Sequence, residues 1–263
     1  MPEPRSPAPA RIVAANAWPG APGALPSHCP LCFGTLEPMP GMPGRARHRS
    51  ARCSAQCVLT TRQYQPDEMA VCGGRDARVS ARHRERFVAN WERHYALVRR
   101  MWPAFTIARF TAVLACADVQ DLWSYPSLRD DDLASVLLVL AGFMRTPGAH
   151  EPAGAPATGD PAPADASADG PARWVRFWFD ASVRDAGDLW TAGADAPRFF
   201  RVDYREPQAT PFPTGAQVLA WQRIGGVRDA WAQQQGAPVP AVEPAGRAAF
   251  ARFVARSLRR DAI

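Results

Sequence analysis

Between His28 and Cys57 the chain reads HCPLCFGTLEPMPGMPGRARHRSARCSAQC. A Cys-Pro-x-Cys turn (Cys29, Cys32) is followed about twenty residues later by a second pair, Cys53 and Cys57. Zinc takes four soft or borderline donors in a tetrahedron, and a C-x-x-C turn supplies two of them from one tight bend, which Pro30 stiffens. The expected site is therefore a structural zinc held by Cys29, Cys32, Cys53 and Cys57. The second pair is one residue wider than the usual knuckle, so His48, His28 and Cys72 stand as alternative ligands. The spacer between the pairs carries Pro38, Pro40, Gly41, Pro43 and Gly44, turn formers that let the two halves fold back on each other. Cys116 falls on the apolar face of a predicted helix and reads as core.

Other chemistry is thinly represented. All 31 basic residues are Arg, so Schiff-base chemistry, a phosphate-loop lysine, a kinase-type lysine and a lysine-dependent nuclease core are all absent. There is no G-x-S-x-G elbow and no H-E-x-x-H helix. His83, Asn90 and His94 match an H-N-H set in type, but on one continuous helix they form a row rather than a ring. Asp130–Asp132 reads as a helix start, and Asp180, Asp185 and Asp188 as turn and cap residues. A metal-dependent hydrolase or nuclease would have to use Asp180 and Asp203 at strand ends, without an evident base or nucleophile.

The elements that must position these residues follow from periodicity. A short strand is expected at Arg11–Ala15, after a Pro-rich frayed tail over 1–10. From Val79, apolar residues Phe87, Trp91, Tyr95, Val98 and Trp102 recur at helical spacing until Pro103 stops the run. The other face of that helix carries Arg82, Arg84, Arg86 and Arg93, a candidate surface for phosphates. Thr106 is placed to cap a second helix with Phe110, Val113, Leu114 and Ala117 inward, and the acidic triplet opens a third through Phe143. Residues 151–172 hold nothing apolar larger than Ala and read as a flexible linker. Beyond it, Arg173–Phe179 and Arg198–Arg205 are aromatic, β-prone strands, residues 211–224 fit either helix or strand, and a last amphipathic helix runs from about Pro244 to Asp261.

The chain thus reads as α+β: a zinc-ribbon-like module over 11–72, a helical domain over 78–146, a linker over 151–172 and a β-containing region over 173–263. The formal charge of +6 suggests an acidic partner, though an all-Arg, Ala- and Pro-rich composition also reflects codon bias. With no signal-like or membrane-length apolar run, the expected setting is soluble and cytoplasmic, where six Cys favour metal over disulfides.

The order RIVAANAW, CPLC, RARHRSARC resembles the zinc-ribbon proteins of prophages and integrative elements, whose N-terminal module is similar to that of competence-protein-type nuclease relatives. The resemblance covers about residues 11–57. It implies Cys29 and Cys32 as ligands, with His48 and Cys53 or Cys57 completing the set. Two features depart from it: Arg47, not an aromatic, precedes His48, and no Lys-dependent nuclease core can follow. The reading is a non-enzymatic zinc-ribbon protein of a mobile element that binds nucleic acid or acts as an adaptor through the Arg-rich helical surface. The alternatives are a protein-interaction module with a purely structural zinc, and the hydrolase above.

Overall fold

The computed structural model describes residues 13–14, 25–42, 45–62, 69–74, 76–146, 173–190, 197–238 and 241–260. The expected frayed tail and the segment 151–172 lie outside them, as do Arg11, Ile12 and Ala15 of the first strand. Helices and antiparallel sheets are both present, so the fold is α+β.

The centre of the molecule is a four-stranded antiparallel sheet in the order β4 (Met144–Thr146), β5 (Arg173–Phe179), β6 (Phe199–Arg205), β7 (Val218–Ile224). Its inner strands are buried on both faces, which explains why RWVRFWF carries bulky groups at every position instead of alternating with polar ones. Strand alternation sends Val175 and Phe177 of β5 and Phe199 of β6 into a helical core. It sends Trp178 of β5, Phe200, Val202 and Tyr204 of β6, and Trp221 of β7 into a second core on the opposite face. β5 and β6 pair without a shift, Phe177 opposite Arg201 and Trp178 opposite Phe200, whereas β6 and β7 change register between Asp203 and Tyr204.

The helical layer is built around α2 (Ala77–Met101). Asp76 caps it by accepting hydrogen bonds from the amides of Arg78 and Val79 at 2.9 and 3.1 Å. Against it lie α3 (Ile107–Val119), capped by Thr106, and α4 (Asp130–Leu140), with three acids in its first turn. Phe110, Val113, Leu114 and Ala117 are buried on α3 as their spacing predicts. α5 (Val227–Gln235), which the periodicity did not reveal, and α6 (Pro244–Arg260) complete the layer. The same core takes in Phe87 of α2, Leu137 of α4, Val175 of β5, Trp231 of α5 and Phe250 of α6, so residues on both sides of 151–172 share it. β4 also pairs with β5, Thr146 opposite Arg173, so that segment joins neighbouring strands of one sheet.

The N-terminal part packs on the other face of the sheet. It contains a small antiparallel sheet in the order β1 (Val13–Ala14), β3 (Arg45–His48), β2 (Leu36–Pro38), followed by the short helix α1 (Ala51–Gln56). Leu31, Leu36, Ala46 and Leu59 from this module meet Trp178, Phe200, Tyr204 and Trp221 in the second core. Backbone contacts join the layers: the Ala181 amide donates to the Leu31 carbonyl at 2.8 Å. At Gly215 the approach is closer still, since a Cβ there would stand 2.6 Å from the Thr61 carbonyl oxygen. Only glycine admits the loop before β7 so near the module's backbone.

One polar side chain in the helical core is unusual. His94 is fully buried, stacked between Phe87 (ring centroids 4.9 Å apart) and Trp231 (4.3 Å). Neither ring nitrogen has a hydrogen-bond partner among the described residues. Burial, and secondarily the Arg86 cation, depress its pKa to about 3. The folded state therefore holds a neutral ring while the unfolded chain protonates near the ordinary value of 6.5. Stability from this group is present above that ordinary pKa and is lost as pH falls toward 3. Substituting His94→Phe keeps the stack and removes the unpaired donor, so it should raise stability by about 1–3 kcal/mol. Urea titrations from pH 7 to 4 should show the advantage of the variant widening as pH falls.

Candidate metal centre

The site forms where the Cys-Pro-Leu-Cys turn, β3 and the end of α1 converge against the central sheet. The turn is closed by the Cys29 amide donating to the Gly34 carbonyl and the Phe33 amide to the Cys29 carbonyl, both at 2.9 Å. Alternation along β3 places Ala46 and His48 inward and Arg45 and Arg47 outward. At the C-cap of α1, Cys57 adopts an extended conformation (φ −80°, ψ 132°), which turns it out of the helical path.

These three elements bring together Cys29, Cys32, His48 and Cys57, whose donor atoms all lie within 4.8 Å of one another. The Cys29 and Cys57 sulfurs are 3.9 Å apart, and Cys32 Sγ is 3.1 Å from His48 Nε2. A tetrahedral ion with metal–sulfur bonds of about 2.3 Å has sulfur–sulfur edges of about 3.8 Å, so the sulfur spacing is that of ligands and not of a disulfide. All six cysteines are free thiols. The cluster can hold a metal ion.

The chemistry of the bare donor set points the same way. The Cys29 thiol is drawn down to about 3 by hydrogen bonds first from Cys32 and then from Cys57. Cys57 is pushed up, because it donates to the same neighbours and is buried. Thiols must lose their protons to bind a metal, so a cation in this cluster would take the place of protons. The imidazole is prepared as well. Thr60 Oγ1 donates to the Ser54 carbonyl at 2.7 Å and lies 3.5 Å from His48 Nδ1, leaving a lone pair for an Nδ1 proton. An Nδ1–H tautomer would direct the Nε2 lone pair at the sulfurs, the usual task of a group behind a histidine ligand.

The sheet face that packs on the module also carries a buried cation. Arg176 of β5, 1 % exposed, lies with its guanidinium 4.0 Å from the Trp178 ring centroid and 4.8 Å from that of Phe143. Tyr204 sits beside it, its phenol bonded by the Trp178 indole at 3.2 Å. The Tyr204 pKa is raised, mainly by burial; Arg176 opposes that rise and the Cys57 charge adds to it. Tyr204 thus feels both Cys57 and the Arg176 cation.

The structure does not place the residues as the spacing alone suggested. His48 stands in the converging set and Cys53 does not. Cys53 is inside α1, its amide bonded to the Ser50 cap, and its Cβ faces Gly34. A Cβ at Gly34 would lie 2.9 Å from Cys53 Cβ and 3.0 Å from His48 Cδ2, so glycine is required for α1 to close on the turn. His28 and Cys72 are exposed and outside the cluster. The Cys72 amide instead donates to the Tyr125 hydroxyl and the Asp185 carboxylate. Cys116, expected in the core, is exposed on α3.

The remaining candidates disperse. His83 bonds the Trp123 carbonyl, Asn90 the Arg86 carbonyl, and His94 is the stacked ring described above, so no H-N-H site forms. Asp180 is 3 % exposed and accepts from Ser182 and the Arg198 amide. Asp203 pairs with Arg201 on β6, four residues or roughly 13 Å along the strand from the Asp180 end. These two acids do not converge. Of the four helix arginines, Arg84 pairs with Asp118 at 2.9 Å and Arg86 with Asp130 at 2.9 Å. Arg93 bonds the Gln234 carbonyl, and Arg82 alone of the four is exposed.

The chain matches no family model, and comparison with curated proteins and with solved structures finds no match. Among the described residues no helix is long and apolar enough to cross a membrane.

Elemental analysis of protein purified without added metal should find one ion per chain. His48→Ala and Cys57→Ser should lose it, whereas Cys53→Ser should keep it. The reverse pattern would restore the four-cysteine set. Gly34→Ala should weaken metal retention with every ligand intact.

Proposed function

We propose that the protein is a non-enzymatic nucleic-acid-binding protein in which zinc is a structural ion. Three sulfurs and an imidazole at tetrahedral spacing are the donor set that zinc favours. Four protein ligands fill the coordination sphere and leave no open position for a substrate, as in structural rather than catalytic zinc sites.

The observation that carries the binding role is the outward face of the metal-held module. Arg45, Arg47 and Arg49 occupy successive outward positions along β3 and just beyond it, on either side of the inward ligand His48. Arg52 follows on α1, also exposed. Arg47 pairs with Glu37 at 2.5 Å, the one acid among residues 25–62. Arg45, Arg49 and Arg52 have no carboxylate partner among the described residues. A row of unopposed guanidinium groups on a rigid module is suited to phosphates, each of which it can bind through paired N–H donors. This face replaces the α2 arginines as the proposed contact, since Arg84, Arg86 and Arg93 are engaged in holding helices together. Membership of a mobile element rests on the sequence resemblance over 11–57.

Binding of a labelled oligonucleotide should weaken steeply with salt, with a log–log slope of about −0.7 to −0.9 for each phosphate contacted. The combined Arg45→Gln, Arg49→Gln, Arg52→Gln variant should bind more weakly and with a shallower slope. Arg82→Gln should change little. Retention indifferent to salt would contradict the proposal and favour a protein partner.

A further inference from the structure

Phe33 is the residue on this module that packing does not explain. It stands between the ligand Cys32 and Gly34 at the tip of the metal-binding turn. Its φ of 58° lies in the left-handed region, where a bulky side chain is disfavoured and glycine is not. The side chain enters neither core in return, and the residue stays 42 % exposed. A glycine would serve the turn better, and a polar residue would serve solubility better. An aromatic held outward in a costly conformation is a surface prepared for contact.

Its surroundings indicate with what. The Arg198 guanidinium lies over the ring, 5.7 Å from its centroid, and Arg198 is itself exposed. Arg198 is fixed at its backbone: its amide donates to the buried Asp180 carboxylate at 2.9 Å, and its carbonyl accepts from the Asp180 amide at 3.0 Å. Asp180, which resembled a catalytic acid in the sequence, thereby positions an arginine from the sheet beside an aromatic from the module. Arg49, on the proposed phosphate face, is tied in from the other side, its amide bonded to the Thr35 carbonyl two residues after Phe33 at 2.9 Å. An exposed ring, a planar cation over it and a row of arginines leading away form a platform for a base next to a track for its backbone.

We propose that Phe33 and Arg198 stack an unpaired base, so that the ligand of the arginine face is single-stranded nucleic acid. This rests on the reading of that face as a phosphate contact and adds the strand state it selects. In a duplex the bases are stacked on each other and their faces are closed to a protein ring, so the platform adds affinity for single strands only.

The test compares an oligothymidylate with a duplex of equal length at fixed salt, for the wild-type protein and for Phe33→Gly and Phe33→Trp. Phe33→Gly relieves the backbone and should keep its metal and its thermal stability. It should nevertheless bind the single strand about five- to a hundred-fold more weakly, with duplex binding unchanged. Phe33→Trp should bind the single strand at least as well as wild type. Arg198→Gln should weaken single-strand binding in the same direction. Equal losses for both ligands, or no loss in Phe33→Gly, would overturn the platform and leave the phosphate face standing. Wild-type protein that binds neither ligand at low salt would overturn both readings.

Discussion

The structure depends on the convergence of three thiols and one imidazole at the seam between the N-terminal module and the central sheet. The module has little else to hold it. α1 contains no buried residue and β2 and β3 are short, so its own core is a few side chains shared with the sheet. Segments of that size seldom fold unaided, and a metal ion in the cluster would supply the cross-link that a larger core otherwise provides. The sheet face beneath answers it chemically, with Cys29 and Cys57 in the same cluster as Trp178, Phe200 and Tyr204. Buried Arg176 lies on that same sheet face, over the Trp178 ring.

A second constraint is the sheet's position between two cores. Because β5 and β6 are covered by helices on one side and by the metal module on the other, each must carry large side chains on both faces. The arginines illustrate the consequence. On α2, Arg84 lies near the Trp123 and Phe253 rings, 5.4 Å from each centroid, and salt-bridges α3. Glu92 reaches Arg247 of α6 at 2.8 Å. In a chain without lysine, guanidinium groups do internal work in one layer and face outward in another. Exposure and pairing, not local sequence density, separate the two uses.

Much of this was legible in the sequence. The cap at Thr106, the acidic start of α4, the strands at 173–179 and 199–205 and the Cys29–Cys32 turn follow from local rules of capping, alternation and metal-ligand spacing. Other features depend on contacts between distant segments. The segment around Arg84 and Arg86 read as a charged surface because Asp118 and Asp130 are remote in sequence. α5, with only Ala230 and Trp231 buried, has too narrow an apolar stripe to announce itself. The choice of His48 over Cys53 was within reach: in RARHR the arginines occupy alternate positions, so Ala46 and His48 must share the other face of any strand. Spacing left His48 as an alternative to the second cysteine pair; the cap geometry decides it, turning Cys57 toward the site and leaving Cys53 inside α1.

X-ray absorption at the zinc edge of the metal-loaded protein tests whether one ion is held by three sulfurs and one imidazole nitrogen. The expected result is three sulfur neighbours near 2.3 Å and one nitrogen near 2.0–2.1 Å, with the outer-shell scattering of an imidazole ring. Four sulfurs and no imidazole would place Cys53 in the site and contradict it.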